Sequence, residues 1–313
     1  MPEPGGPPLT LRSGRVAAAR RLTRRQVRRT LRLFLVEGPA AVREALGAGA
    51  LGELFVATSA TARHVDLVGT VRAAGVRVAT ATDDAVAALS DTVTPQGVVG
   101  VARAIDVGLP EVLSGSAELV VILHELRDPG NVGTIIRAAD AAGARAVVLT
   151  PASADPYNGK AVRSSAGSLF HVPIALDVPL DDAIAGVRAS GCRILAADAS
   201  GRDIVTAGHD LRRPVAWVFG NETRGLREEL HRVADEMIGV PLYGSAESLN
   251  VAMAATVCLY VSAWAQRSRP PAPSRNALPS PLPRPASRAR TRWASPASRA
   301  WSCWTTRSSR FPD

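Results

Sequence analysis

The stretch "LVVILHELRDPGNVGTIIRAADAAGARAVVLT" (119–150) contains the pattern from which the architecture is inferred. It opens with an apolar run, 119–126, of the kind found in strands that are covered on both faces. The Asp-Pro-Gly turn leads into a predicted helix over 131–143, and a second apolar strand is predicted over 146–150. Because strands joined by a helix in this way run parallel, the stretch predicts the first βαβ unit of an α/β domain.

The same alternation continues on the C-terminal side of this unit. Apolar segments typical of strands recur at 171–176, 193–199, 215–220 and 236–242. Further helices are predicted at 158–167, 180–190 and 248–265. Six strands alternating with helices predict an open parallel sheet, in a domain that covers residues 117–265.

A smaller α/β domain is predicted over residues 15–104, where short strands and helices also alternate. Its strands are predicted at 32–38, 51–57, 76–80 and 97–104. Its helices are predicted at 15–31, 39–48, 62–74 and 83–89. Residues 105–116, which include Gly108, Pro110 and Gly115, are predicted to be a linker between the two domains.

Both ends of the chain are predicted to be disordered. Residues 1–14 begin with a Pro/Gly-rich run. Residues 266–313 form an Arg/Pro-rich tail with nine prolines and no periodicity. Such a composition cannot bury enough apolar surface to offset the entropy of folding, so we assign the tail no function.

The formal net charge of +9 is concentrated in two segments. One is the tail, which holds ten arginines and one acid from residue 267 onwards. The other is 12–32, which holds nine arginines and no acid, whereas 33–266 is net negative. The run 12–32 is therefore either a solvated helix face or a contact to an RNA backbone, whose phosphates attract arginine.

The composition also disfavours membrane and metal-binding classes. No stretch approaches the roughly 18 consecutive apolar residues of a membrane span, and no apolar run follows the basic N-terminus at a signal peptide's distance. The cysteines, Cys192, Cys258 and Cys303, lack metal-ligand spacing, and their odd number argues against a disulfide framework. We therefore predict a cytoplasmic protein with no metal site and no membrane attachment.

Polar residues follow the C-terminal ends of three predicted strands, where ligands bind in open parallel sheets. In "LRDPGNVGTIIRAADAAGA" (126–144), Asn131 stands near a helix N-terminus, whose free backbone N–H groups favour anions. Gly133 allows another backbone to approach closely, and the long side chain of Arg137 can reach the same crevice. In the alternative reading, Asn131 is only a helix cap and Arg137 only a solvated helix residue.

The other two segments have the same strand-to-loop character. In "FGNETRGL" (219–226), Glu222 can accept hydrogen bonds or balance a cation within a loop flanked by glycines. In "VPLYGSAESLNVAMAATVCLY" (240–260), Ser248 is predicted to cap the last helix and Asn250 to face the crevice. In the alternative interpretation, Glu222 is only an acidic residue at the start of a helix. Ser248 and Asn250 then only accept hydrogen bonds from free N–H groups of the last helix.

Together and in this order, the three segments resemble the motifs of the SpoU (TrmH-like) branch of the SPOUT RNA methyltransferases. The matching motifs are 128–144, 218–226 and 240–255. The resemblance covers about 117–265. It extends more weakly to "FLVEGPAAVREAL" (34–46), which looks like the start of the family's substrate-binding domain, itself similar to kink-turn-binding ribosomal proteins.

The resemblance implies a deep trefoil knot, a homodimer, and methyl transfer from S-adenosylmethionine to a ribose 2′-hydroxyl of structured RNA, with 23S ribosomal RNA favoured. It places the cofactor between the loops of the second and third motifs. The matching cofactor-binding positions are Gly220, Asn221, Val240, Pro241 and Leu249. The matching polar positions of the active site are Asn131, Arg137, Glu222, Ser248 and Asn250.

Three other functions are weighed against this one. A tRNA 2′-O-methyltransferase stays open, and so does a non-catalytic RNA-binding factor on the same fold, although the complete polar set argues against the latter. A dehydrogenase-like nucleotide-binding enzyme would carry GxGxxG after the first strand. The chain reads Asp-Pro-Gly-Asn-Val-Gly at that point, which does not fit.

Overall fold

The first sheet of the computed structural model, which describes residues 6–115, 118–208, 210–220 and 228–268, has four strands. They are β1 (Leu33–Glu37), β2 (Leu51–Ala57), β3 (Arg77–Ala81) and β4 (Val98–Arg103). The strand order is β1-β4-β2-β3, and only β2 and β3 run parallel. The helices of this region are α1 (Gly14–Arg20), α2 (Arg25–Leu31), α3 (Pro39–Gly47), α4 (Val65–Ala73) and α5 (Asp83–Ala87). The predicted small α/β domain is thus confirmed, with a mixed sheet.

The basic segment is not the single helix predicted over 15–31. A 3-10 turn, Arg21–Thr23, separates α1 from α2, and Arg24 is extended. The turn buries Leu22 in the core of the first sheet, which a straight helix in solvent would not do. Further upstream, Leu9 pairs with Ala81 of β3, so the predicted disorder over residues 1–14 does not hold at Leu9.

Six strands form the second sheet, all of them parallel, in the order β10-β8-β9-β5-β6-β7. They are β5 (Leu119–Leu123), β6 (Ala146–Leu149), β7 (Ile174–Ala175), β8 (Arg193–Asp203), β9 (Val215–Phe219) and β10 (Glu236–Gly239). The helices are α6 (Leu109–Val112), α7 (Pro129–Ala142), α8 (Gly159–Ser164), α9 (Leu180–Ala189), α10 (Ile204–Ala207), α11 (Glu228–Val233) and α12 (Val251–Arg267). The predicted open parallel sheet is confirmed.

Some element boundaries differ from the prediction. The strand β7 has two residues instead of the six predicted over 171–176, and β10 ends at Gly239 instead of residue 242. The segment predicted as a linker contains α6, whose Val112 is buried in the core beneath α9. The linker is therefore folded onto the second domain.

The central strand β5 explains why its sequence is an unbroken apolar run. Leu119, Val121 and Leu123 belong to the core on the α7 and α12 side of the sheet. Val120 and Ile122 point the other way, into the core beneath α9. Since alternate side chains of a strand face opposite sides, a strand covered by helices on both faces must be apolar throughout.

The two domains share one apolar core. The ring of Phe34, from β1, lies 4.5 Å from the ring of Tyr157 and 6.0 Å from that of Phe170, both in the second domain. The hydroxyl of Tyr157 donates to Asp106 and accepts from the backbone N–H groups of Ile105 and Asp106. Burial raises the pKa of Tyr157 above its usual value, so the hydroxyl keeps its proton. The domains are thereby fixed to each other.

A buried ion pair reinforces this junction. The guanidinium of Arg28, from α2, donates to Asp155 at 2.8 and 2.7 Å and to the carbonyl oxygens of Leu22 and Thr23. The side chains of Arg28 and Asp155 are only 5% and 9% exposed. One of the nine arginines of the basic segment therefore serves the fold and is closed to RNA.

Within the described ranges, no helix is long and apolar enough to cross a membrane. The same ranges contain no group of three or more His, Cys, Asp or Glu side chains placed to hold a metal ion. The predicted disordered tail lies outside the described residues from 269 onwards, while residues 266–268 continue or end α12.

Candidate active site

A cavity of ≈ 370 Å³ opens at the carboxyl ends of β8, β9 and β10. Five residues predicted from the sequence line it: Gly220, Val240, Ser248, Leu249 and Asn250. They come from two loops separated by twenty residues or more of chain. Gly220, at the end of β9, and the segment after β10 therefore meet at one cavity, as predicted. No residue of the first motif (128–144) lines it, and residues 221–227 of the second motif lie outside the described residues.

One wall of the cavity is not predicted by the sequence. In the pairing of β8 with β10, Ala196 faces Met237 but the next paired residue is Arg202, opposite Ile238. Residues 197–201 leave the ladder, and Ala197, Asp198 and Ala199 line the cavity. The available signal was Gly201, because a glycine in a strand often marks a bulge.

Tight backbone packing holds this bulge against β10. A Cβ at Gly201 would lie 2.5 Å from the carbonyl carbon of Met237. A Cβ at Gly239 would lie 3.0 Å from the carbonyl oxygen of Asp198. The carboxylate of Asp198 accepts from the backbone N–H and the hydroxyl of Ser200, at 2.8 and 2.6 Å, which fixes the loop. The two glycines are required by close approach.

The start of α7 lies beside this cavity. Asp128 is the N-cap residue, and its carboxylate accepts from the backbone N–H groups of Gly130 and Asn131 at 2.5 and 3.1 Å. Lys160, which also bonds this carboxylate, is the main cause that lowers the pKa of Asp128 below its usual value. The sequence predicts that the first backbone N–H groups of this helix are free to bind an anion. This prediction is wrong for Gly130 and Asn131, because the carboxylate of Asp128 accepts from both groups.

Two predicted site residues meet through their side chains. The amide nitrogen of Asn250 donates to the side-chain oxygen of Asn131 at 3.1 Å. The side-chain oxygen of Asn250 accepts from the N–H groups of Ala252 and Met253 at 2.9 and 3.3 Å, so Asn250 caps α12. The predicted cap, Ser248, is wrong, because α12 begins at Val251 and Ser248 lies in the preceding loop.

Gly133 sets the position of α7 against its neighbour. A Cβ at this position would lie 2.1 Å from the hydroxyl of Ser164 and 2.2 Å from the carbonyl oxygen of Ala161. Any larger residue would push α7 away from α8. The predicted close approach at Gly133 is therefore confirmed.

Three described residues of the predicted site, Asn131, Arg137 and Pro241, do not line the cavity. Arg137 is exposed on α7 and forms no ion pair with a described residue. Pro241 stands between the lining residues Val240 and Leu242 without being one of them. Asn221 and Glu222 lie outside the described residues.

Comparison with known proteins identifies related sequences for both domains. The model of the SpoU rRNA Methylase family matches residues 118–260. The model of the MRM3-like substrate binding domain matches residues 14–100. The 23S rRNA (guanosine(2553)-2′-O)-methyltransferase RlmP of Bacillus subtilis is 35% identical over 231 residues, which cover 72% of this chain and 87% of that protein.

Solved structures resemble the whole two-domain body. The AdoMet-bound rRNA methyltransferase from Sinorhizobium meliloti matches with a TM-score of 0.70 and 32% identity, over 81% of this chain and 95% of that one. The SpoU methyltransferase AviRb from Streptomyces viridochromogenes, in complex with AdoMet, matches with a TM-score of 0.69 and 29% identity, over 82% and 99%. Both similarities extend over the two domains described above.

Proposed function

Because the chain belongs to the SpoU rRNA methylase family, we propose that it transfers the methyl group of S-adenosylmethionine to a ribose 2′-hydroxyl of 23S ribosomal RNA. The observation that carries the proposal is the cavity at the ends of β8, β9 and β10, with the linked side chains of Asn131 and Asn250 beside it. The names of the relatives favour 23S ribosomal RNA over tRNA as the substrate. A ribosomal RNA substrate is consistent with an enzyme of the cytoplasm.

The cavity has the size and chemistry that the cofactor requires. Its ≈ 370 Å³ lies in the range of about 300–1,000 Å³ typical of small-molecule sites. Phe219, Ile238 and Val251 supply apolar walls, and Asp198 supplies a carboxylate for polar groups. Gly220, Val240 and Leu249, which line the cavity, would hold the adenosine part largely through backbone atoms, with Asn221 and Pro241 next to them in the chain. When bound, S-adenosylmethionine supplies a methyl group on a positively charged sulfur.

The protein must align a weak nucleophile and assist loss of its proton. Orientation alone can lower such a barrier by roughly 7–11 kcal/mol in favourable cases. We assign this alignment to the polar side chains of Asn131, Glu222, Ser248 and Asn250. The hydrogen bond between Asn131 and Asn250 holds two of them in a fixed relation before RNA arrives.

Arg137 has a different role in this proposal. A guanidinium carries five N–H donors and no acceptor, so we do not assign Arg137 the role of general base. It can grip a phosphate beside the target ribose with two parallel hydrogen bonds and stabilise the developing alkoxide.

We also propose a homodimer, as the family resemblance implies. Support comes from α12, which exposes Met253, Val257 and Trp264, with exposed fractions of 59%, 37% and 62%. Their spacing of four and seven residues places them along one stripe of the helix. Sedimentation equilibrium tests this: a dimer is expected, and a monomer at micromolar concentration contradicts it.

Two experiments test the main proposal. Titration with S-adenosylmethionine by calorimetry should give saturable binding, and no binding would favour a non-catalytic RNA-binding factor. Mapping ribose methylation in 23S rRNA and tRNA from cells with and without the gene should reveal one 23S position that depends on it. A dependent position in tRNA alone would contradict the substrate assignment. The trefoil knot stays a prediction.

A further inference from the structure

Lys160 is the only lysine in the chain, and it belongs to none of the three sequence motifs. Its Nζ atom lies 2.9 and 3.1 Å from the two carboxylate oxygens of Asp128, the N-cap residue of α7. A Cβ at Gly130 would lie 2.8 Å from Cε and 3.2 Å from Nζ of Lys160. The lysine side chain therefore lies across the start of α7, which lacks a side chain at position 130 to block it.

This position adjoins the cofactor cavity. Asn131 follows Gly130 directly. Its side-chain oxygen accepts a hydrogen bond from Asn250, which lines the cavity. The N–H groups of Gly130 and Asn131 are occupied by Asp128, so they do not bind an anion themselves. The ammonium of Lys160 instead supplies positive charge at this helix end, with 56% of the side chain exposed.

We propose that Lys160 is a positioning residue that binds a backbone phosphate of the RNA beside the target ribose, with Asp128 holding the ammonium in place. This inference rests on the proposed methyl transfer. An ammonium has three donor hydrogens, and its two contacts to Asp128 leave capacity for an acceptor from the solvent side. Every internal ribose in RNA is flanked by two phosphates, so Lys160 and Arg137 are assigned to different ones.

The uniqueness of Lys160 allows a direct test of this contact. An amine-selective acetylating reagent can modify only Lys160 and the N-terminal α-amine, and mass spectrometry distinguishes the two sites. A 23S rRNA transcript is expected to slow acetylation of Lys160 several-fold relative to the α-amine, whereas S-adenosylmethionine alone leaves the ratio unchanged. Equal acetylation rates with and without the transcript would overturn the proposal.

Variants separate a phosphate contact from a structural role. Lys160→Met keeps the aliphatic contact with Gly130 but removes the charge. We expect kcat/KM for RNA to fall about tenfold, as for loss of one charged hydrogen bond. The slope of log affinity against log salt should weaken by about one. Lys160→Arg should retain most of the RNA affinity, and all variants should bind S-adenosylmethionine as the wild type does.

Arg163→Met is the matched control, because Arg163 lies on the same helix but pairs with Glu37 and Asp91 of the first domain. It removes the same formal charge and should keep the wild-type salt slope. Equal slope changes in the two variants would show a net-charge effect and overturn the proposal. So would a parallel loss of cofactor affinity in Lys160→Met. A wild-type protein that methylates no RNA would refute the proposed function, whereas wild-type kinetics in Lys160→Met refute only this inference.

Discussion

The side-chain amide of Asn250 donates to the side-chain oxygen of Asn131, joining the starts of α12 and α7 across 119 residues of sequence. The oxygen of the same Asn250 side chain caps α12. One residue thus uses its two polar atoms for different purposes. The oxygen satisfies a helix end, and the nitrogen connects two parts of the proposed active site.

Substitutions at Asn250 should separate these two purposes. Asn250→Asp keeps the capping oxygen but loses the donor to Asn131, so stability should stay near wild type while methyl transfer falls. Asn250→Ala loses both, and its free energy of unfolding should drop by about 0.5–2 kcal/mol. Urea unfolding and a methyl-transfer assay check both variants. Full turnover in Asn250→Asp would show that the link to Asn131 has no role in catalysis.

Replacement of Arg137 should separate chemistry from cofactor binding. Arg137 does not line the cavity proposed for the cofactor, so Arg137→Ala should bind S-adenosylmethionine within a few-fold of wild type. Methylation should be abolished, because the variant can neither grip the phosphate nor place a positive charge near the alkoxide. Calorimetry and a single-turnover assay provide the two measurements. Near-normal turnover would remove Arg137 from the mechanism.

Seven of the nine arginines of the basic segment fall into two groups. Arg15, Arg28, Arg29 and Arg32 pair with acids of the folded body. Arg20, Arg21 and Arg24 are exposed and form no ion pair with any residue that the structure describes. We predict that replacing these three with alanine weakens RNA binding and lowers the salt slope by about one for each phosphate that is no longer bound. Filter binding at several salt concentrations measures the slope, and an unchanged slope contradicts an RNA contact.

Arg28→Ala is the contrasting variant within the same segment. It would leave the carboxylate of Asp155 buried without its partner, which typically costs about 3–5 kcal/mol of stability. We expect a large drop in the urea midpoint. For the same reason, deletion of residues 1–32 would confound RNA binding with unfolding, whereas substitution of exposed arginines leaves the pair of Arg28 with Asp155 in place.

His171 should make stability depend on pH. Its Nδ1 lies 2.9 Å from Asp140 and its Nε2 lies 3.0 Å from Glu44, so both bonds form fully only when the ring carries two protons. The hydrogen bond to Glu44, followed by that to Asp140, raises the pKa of His171 above its usual value of 6.5. The stabilisation is therefore complete below 6.5 and is lost as pH rises through the folded-state pKa.

Thermal unfolding of wild type and His171→Gln across this range provides the measurement. The difference in melting temperature should be largest in the acidic range and should shrink as the pH becomes alkaline. Parallel curves over the whole range would show that the imidazolium does not link Glu44 to Asp140. The experiment needs no RNA and no cofactor.

The sequence indicated the cavity better than it indicated the contacts around it. Gly220, Val240 and Leu249 follow strand ends, and strand ends of a parallel sheet meet at one edge, so their convergence follows from local pattern alone. The cap of α12 does not. Ser248 and Asn250 both have capping side chains, and the chain entering from β10 sets the helix start at Asn250.

Other features depend on partners far away in the chain. Residues 197–199 continue an apolar strand by local pattern, and only pairing with β10 forces them out of the sheet. Arg28 is one of nine similar arginines, and its burial depends on Asp155, 127 residues later. Composition can predict that such a segment is basic, but it cannot show which of its arginines are paired with acidic residues of the folded protein.

The position of Phe34 between Tyr157 and Phe170 has a consequence for how an RNA target is chosen. Because these ring contacts anchor the first domain to the second, the first domain cannot move independently of it. The distance from the first domain to the cavity at the ends of β8, β9 and β10 is then fixed. Consider an RNA that binds the first domain and is lengthened by a few base pairs between the bound element and the target nucleotide. Such an RNA would still bind, but its target ribose would not be methylated.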